Sequence, residues 1–183
     1  SAVTSEGERK AMKAVADEGL RAEICSYVRA RTDDVDLALG CDVDSIHLVV
    51  PVSDLHIKSK LRSDREKVLR SAVTVTEYAK DHGLVVELSG EDASRADEGY
   101  LTALYRAGID AGADRLCYCD TVGVLVPEKA FEIFSRLSDL PVPVSVHCHD
   151  DFGMATSNTV AALRGGAPPL RAATVLAVSY THL

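Results

Sequence analysis

The chain has 183 residues, 46% of them hydrophobic, enough for one ordinary domain with a sizeable core built from Ala, Val and Leu, since Trp is absent. A net charge of −8 and a pI near 5.2 exclude the basic footprint of a nucleic-acid binder. No apolar run approaches the roughly 18 residues of a membrane span, and the first nine residues lack the basic-then-apolar order of a signal peptide, so a cytoplasmic setting away from membranes is expected.

In chain order, Ser5 with Glu8 forms a capping box that opens a helix running to about Glu18 and stopped by Gly19. Strand-like runs follow at residues 22–27, 45–50, 84–88, 115–119 and 144–147, with a further short run at 173–178. Between them, Ser63 opens a long helix to Lys80 with Gly83 as its stop, and Asp97 opens another to Gly108 or Ala111. Pro127 occupies the first turn of a helix reaching Leu137, and a last one runs from about Met154 to Leu163 before Gly165 and Gly166.

Strand and helix therefore alternate at intervals of roughly 30 residues, the βαβ rhythm. Runs such as Ile46-His47-Leu48-Val49-Val50 are nearly continuous in apolar residues and predict a parallel sheet covered on both faces. Polar residues cluster just after each strand: Arg29; Ser53, Asp54 and His56; Ser89, Glu91 and Asp92; Asp120 and Thr121; His149, Asp150 and Asp151. Five successive strands ending this way predict a barrel, in which all strand ends face one centre. A complete (β/α)8 barrel needs around 250 residues, so the expected fold is α/β, a partial TIM (β/α)8 barrel. No Gly-x-Gly-x-x-Gly or phosphate loop supports a nucleotide-binding open sheet.

Five cysteines, Cys25, Cys41, Cys117, Cys119 and Cys148, form no Cys-x-x-Cys pair and are expected as free thiols in a reducing compartment. All but Cys41 sit in apolar strand-like runs and are expected to be buried. Cys117 and Cys119 share a strand face, which leaves a soft-metal site as a minor alternative.

Chemistry concentrates in three segments. In Val144-Ser145-Val146-His147-Cys148-His149-Asp150-Asp151, side chains two apart share a face, so His147 and His149 project together and can act as neighbouring ligands of a divalent ion. The alternative is a pair of half-buried histidines hydrogen-bonded at a strand end. Asp150 and Asp151, which could complete a coordination or supporting shell, tilt the reading toward metal. In Glu87-Leu88-Ser89-Gly90-Glu91-Asp92, the residues Glu87, Ser89 and Glu91 alternate onto one face, and Glu87 inside an apolar strand must be paired or liganded. These acids otherwise read as solvated groups around a helix N-cap. In Cys119-Asp120-Thr121-Val122-Gly123, the Thr121 hydroxyl either reaches a substrate carboxylate or caps the turn.

Together these motifs, His147 to Ala155, Ser89 to Arg95 and Cys119 to Gly123, resemble the 2-isopropylmalate, citramalate and homocitrate synthase family, and look most like its archaeal members. The resemblance spans about Ser5 to Gly166. It implies a (β/α)8 barrel acyltransferase that binds a divalent metal (Mg2+, Mn2+ or Zn2+) and joins acetyl-CoA to a 2-oxo acid in a Claisen-type condensation. It also implies His147 and His149 as metal ligands, Ser89 and Thr121 as substrate contacts, and Glu91 as an active-site acid. Homocitrate synthases resemble the strand at Glu87 but tend to carry Arg there, to pair with the distal carboxylate of 2-oxoglutarate. Glu87 as a substrate-side residue therefore favours an acceptor with an apolar tail, 2-oxoisovalerate or pyruvate, over 2-oxoglutarate. Of these two the expected acceptor is 2-oxoisovalerate, giving 2-isopropylmalate in leucine biosynthesis, with a citramalate synthase using pyruvate as the alternative.

Two departures accompany the resemblance. The family's first-strand Arg-Asp pair, whose Asp is a metal ligand, does not occur, and residues after Gly166 do not follow its final strand. Residues 1–166 are thus expected to form a partial catalytic barrel covering strands three to seven, with 167–183 a tail of doubtful origin. An incomplete barrel exposes unpaired strand edges, so the isolated piece is expected to be inactive. The full-length protein is separately expected to be a homodimer. The competing readings are a metal-dependent aldolase or lyase of the same barrel type and a non-catalytic (β/α) domain serving assembly or regulation.

Overall fold

The computed structural model describes residues 5–166 and the strand Val175–Val178. Strands β1 (Cys25–Arg29), β2 (Ser45–Pro51), β3 (Val85–Glu91), β4 (Arg115–Asp120), β5 (Val144–His149) and β6 (Val175–Val178) lie side by side in chain order. Every neighbouring pair is parallel. Sequential order without a reversal is the arrangement of a (β/α) barrel, since a doubly wound sheet doubles back at a switch point. The fold is a partial α/β barrel. The expected run 173–178 appears as β6, one parallel strand beyond the five that end in polar clusters. The rest of the 167–183 tail lies outside the described residues.

Helix α1 (Glu6–Asp17) precedes β1, and α2 (Thr32–Leu39), α3 (Arg65–Asp81), α4 (Glu98–Asp110), α5 (Pro127–Leu137) and α6 (Ala155–Gly166) separate the strands. Their starts follow local chemistry. The Ser5 hydroxyl accepts the Glu8 N–H at 3.1 Å, and the Asp97 carboxylate accepts the Tyr100 N–H at 2.8 Å. Helix α3 opens one residue later than expected: Asp64, not Ser63, is the cap, accepting the Lys67 N–H at 2.9 Å. Helix α2 has too little apolar periodicity to be read from sequence. It is anchored by Arg29, whose Nε meets the buried Asp34 carboxylate at 2.7 Å. Arg29 therefore tethers α2 at the end of β1.

Strand β1 starts three residues later than expected, while β3 and β5 run further, to Glu91 and His149, because pairing continues along their neighbours (Val50 with Gly90, Pro51 with Glu91, His149 with Val178). One sheet face, carrying Ile46, Leu48, Val86, Leu88, Leu116 and Val146, is buried under the helices and forms the core. Each such Leu or Ile contributes about 1.5–3 kcal/mol by leaving water. Helix α4 approaches β3 so closely that a Cβ at Gly108 would lie 2.1 Å from Leu88 Cδ2. Fully buried Tyr105 on α4 donates its hydroxyl to the Cys117 carbonyl at 2.8 Å. All five cysteines are free; Cys117, Cys119 and Cys148 are buried as expected and so is Cys41, whereas Cys25 is exposed because period-two alternation puts it with Tyr27 on the face opposite the core. Among the described residues, no helix is long and apolar enough to cross a membrane.

Candidate active site

The opposite face of the sheet is polar and walls a cavity of about 620 Å3. Register sets its rows. Tyr27, His47, Glu87 and Arg115 are direct neighbours across β1 to β4; Val49, Ser89, Cys117 and Ser145 form the next row toward the strand C-termini, and Cys119 pairs with His147 beyond it. The expected residues Glu87, Ser89, Glu91, Thr121, His147 and His149 all line this one cavity.

His147 and His149 stack with ring centroids 4.9 Å apart and planes 21° from parallel. The His147 Nδ1 faces the Cys119 thiol at 3.8 Å, while its Nε2 is buried with no hydrogen-bond partner. Burial first, then the neighbouring His149 and His47 charges, pushes the His147 pKa down, so the ring is neutral near pH 7. A neutral imidazole with a buried, unpartnered nitrogen is the donor a divalent ion requires. The residues present fit such an ion.

The two aspartates after this pair act differently from the expectation. Asp150 accepts the Ala155 N–H at 2.8 Å and caps the start of α6, because alternation turns it away from the histidines. Asp151 packs over the turn after β4, where a Cβ at Gly123 would lie 2.9 Å from the Asp151 amide nitrogen and carboxylate. Gly123 also has φ +61°, so that turn needs glycine on two counts.

Glu91 sits at the rim, both carboxylate oxygens held by the Lys60 ammonium at 2.7 and 2.8 Å, with His56 Nδ1 at 3.3 Å. Lys60 and His56 belong to a short π-helical turn, His56–Lys60, that no periodicity announces. Asp92 has left-handed backbone (φ 64°), and its amide donates to the Thr121 Oγ1 at 2.8 Å. Thr121 therefore does more than cap its own turn: its oxygen is fixed from the neighbouring strand end. Asp92 itself is buried and held by Arg95 and the Ser53 hydroxyl. Burial alone would raise its pKa, but these hydrogen bonds outweigh burial and lower it. Ser89, fully buried, lies 3.0 Å from the Cys119 thiol.

Glu87 is paired, as its burial demands. Its Oε1 meets His47 Nδ1 at 2.8 Å, and its Oε2 lies 3.4 Å from Arg115 Nε. Burial would depress the His47 pKa, but the bond to Glu87 prevails and raises it. Arg115 is held in turn by Glu23 at 2.5 Å. Sequence reasoning missed His47, Arg115, Glu23 and Lys60. The signal for His47 was present, a polar residue interrupting an apolar strand; that for Lys60 was not.

Parallel strands in sequential order, with chemistry gathered at one face and toward the strand C-termini, define an enzyme-type (β/α) barrel domain. The HMGL-like family model matches residues 1–175, and the chain belongs to that family. It is 69% identical over 168 residues to a Methanosarcina acetivorans protein provisionally named (R)-citramalate synthase, covering 91% of this chain and 35% of the relative. It is 57% identical over 168 residues to the (R)-citramalate synthase of Methanocaldococcus jannaschii, covering 91% of this chain and 34% of the relative. The chain thus spans about a third of the length of these relatives. In fold it is similar to an HMG-CoA lyase from Acinetobacter baumannii, with a TM-score of 0.77 at 14% identity over 95% of this chain and 57% of the lyase. The resemblance to the synthase family holds. The relatives favour the citramalate branch, the alternative, over the 2-isopropylmalate branch expected first.

Proposed function

We propose that the chain supplies the acceptor-binding part of an (R)-citramalate synthase, which joins the methyl carbon of acetyl-CoA to the keto carbon of pyruvate. The observation that carries this reading is the His147–His149 pair, with a buried unpartnered nitrogen on His147, in one cavity with Thr121 and Ser89. A base takes a proton from the methyl group, and the carbon so freed bonds to the keto carbon while the keto oxygen takes up a proton to become the hydroxyl. Water then cleaves the thioester, releasing CoA and citramalate. A divalent ion bound by His147 and His149 supplies Lewis-acid polarisation of the acceptor carbonyl.

The remaining residues orient the acceptor. Thr121, its oxygen held by the Asp92 amide, has its hydroxyl proton to donate to the acceptor carboxylate. Cys119 holds the His147 ring by its Nδ1 side, leaving Nε2 for the metal. Glu91, clamped by Lys60, lines the rim. The floor disfavours larger acceptors. His47 and Arg115 are both engaged by Glu87, so the distal carboxylate of 2-oxoglutarate meets no unpaired cation there. The isopropyl group of 2-oxoisovalerate would lay more apolar surface against this charged floor than a methyl does. The supporting role of Glu87 is thus occupancy by its partners more than bare repulsion.

The test exchanges residues 5–166 for the aligned segment of the M. jannaschii enzyme and follows CoA-thiol release with pyruvate, 2-oxoisovalerate and 2-oxoglutarate. Pyruvate is expected to give the highest turnover, and His147→Asn or His149→Asn to abolish it together with Mn2+ binding. Highest turnover with 2-oxoisovalerate would return the assignment to 2-isopropylmalate. Full activity in both histidine variants would leave a non-catalytic role for this segment.

A further inference from the structure

Glu91 and Asp92 are consecutive at the end of β3 but face different ways. Glu91 lines the cavity, whereas Asp92 is fully buried outside it. The left-handed backbone at Asp92, φ 64° and ψ 37°, permits the divergence. The segment after β2 reaches both carboxylates. Its Val52 N–H donates to the Glu91 carbonyl at 3.0 Å. The buried Ser53 hydroxyl donates to the Asp92 carboxylate and accepts the His56 N–H at 3.2 Å. A bond of 3.1 Å from the Leu61 N–H to the His56 carbonyl closes the wide π-helical turn. Both ends of that turn meet Glu91. The Lys60 ammonium bonds its two oxygens, and His56 Nδ1 lies 3.3 Å from Oε1 without hydrogen-bond alignment. Asp92 therefore holds two arms of the site: its amide fixes Thr121, and its carboxylate fixes, through Ser53, the turn that carries Lys60.

An ion pair whose lysine side chain is 53% exposed adds little to stability. Its use lies in orientation. The other carboxylates lining the cavity are engaged at its floor, Glu87 by His47 and Arg115 and Glu23 by Arg115. Glu91 instead stands at the C-terminal strand ends, where a (β/α) barrel does its chemistry. A carboxylate offers about four lone-pair sites, and the ammonium takes one on each oxygen, so Glu91 retains acceptor capacity toward a bound substrate. On the reading that this cavity carries out the condensation, we propose that Lys60 is a positioning residue acting through Glu91, and that the Ser53–Asp92 link keeps it in step with Thr121. Without the ammonium, the flexible Glu91 side chain gains rotamers. A displacement of about 1 Å from the reacting atoms costs on the order of 100-fold in rate. The acceptor, held by Thr121 and the ion, still binds.

In the segment-exchange protein, Lys60→Met keeps the apolar stem and removes the charge. It is expected to lower kcat by about 10- to 100-fold, with KM for the 2-oxo acid and Mn2+ binding at the parental values. Lys60→Arg is expected to recover part of the loss, since a guanidinium again spans both oxygens. Ser53→Ala is expected to lower kcat in the same direction and by less. A double-mutant cycle identifies the route: in a Glu91→Gln background, Lys60→Met is expected to lower kcat no further. Circular dichroism checks each variant, and Lys60→Gln carries the same test if the methionine variant does not fold. A loss carried by KM, or an equal loss of kcat with and without Glu91, would overturn the proposal. The measurements use whichever 2-oxo acid turns over best, which separates this role from the reading beneath it. Parental kcat in Lys60→Met refutes the positioning role alone, and no turnover with any of the acids refutes the functional reading and the positioning role together.

Discussion

The Glu87 carboxylate meets the His47 imidazole at 2.8 Å across two adjacent parallel strands, and its second oxygen lies 3.4 Å from the Arg115 guanidinium. Removing the carboxylate charge leaves the Arg115 guanidinium, and the His47 imidazole whose charged form Glu87 favours, facing a neutral amide. Glu87→Gln is therefore expected to lower unfolding free energy by about 2–3 kcal/mol, below the 3–5 kcal/mol typical of a broken buried pair because Arg115 retains Glu23 and partial access to water. Urea denaturation at neutral pH measures it; an unchanged midpoint and slope would count against the pairing.

Asp92 gives a pH signature. Its folded pKa lies below the ordinary carboxylate value, so the unfolded chain takes up the proton first as acid is added. Its stabilisation is complete above the unfolded pKa of about 3.9 and is lost as pH falls through the depressed folded value. Asp92→Asn suits the left-handed backbone at this position and leaves Arg95 without its charge partner. It is expected to cost about 1–3 kcal/mol at pH 7 and progressively less as the pH drops from about 3.9 toward the depressed folded pKa, below which both proteins carry a neutral side chain. Denaturation midpoints across that range test the slope, and a gap that widens in acid would refute it.

The α4–β3 contact depends on the missing side chain of Gly108. Gly108→Ala is expected to destabilise by about 1–3 kcal/mol through collision with buried Leu88, despite the higher helix propensity of alanine. Shortening the opposing side chain with Leu88→Val should recover part of the loss in the double variant. Simple additivity of the two losses would show that the contact is not the cause.

At Gly123 the strain is in the backbone and in the space above it. Gly123→Ala is expected to cost at least about 1 kcal/mol, since φ is positive and the added Cβ would sit 2.9 Å from Asp151. A shift of this turn is expected to draw Thr121 away from the Asp92 amide, 2.8 Å from its oxygen. In the segment-exchange protein, the substitution should therefore raise KM for the 2-oxo acid.

Much of the architecture was legible because burial on both sides of a parallel sheet imposes long apolar strands, and because caps such as Ser5, Asp97 and Pro127 mark helix starts locally. Helix α2 was not, since Arg29 holds it through a tertiary ion pair. Period-two alternation placed His147 beside His149 and Glu87, Ser89 and Glu91 on one face. The same alternation, carried one residue on, turns Asp150 away to cap α6.

The sequence by itself determined the strand–helix alternation, the barrel class, and the donor residues at the C-terminal ends of the strands, because each rests on near-neighbour geometry. Only the tertiary structure decided which donors meet. Lys60 on Glu91, Asp92 on Thr121, and His47 with Glu87 and Cys117 are set by the packing of strands and strand ends about 30 to 70 residues apart. That distance in sequence carries no local signal; hydrogen-bond pairing of the sheet fixes it.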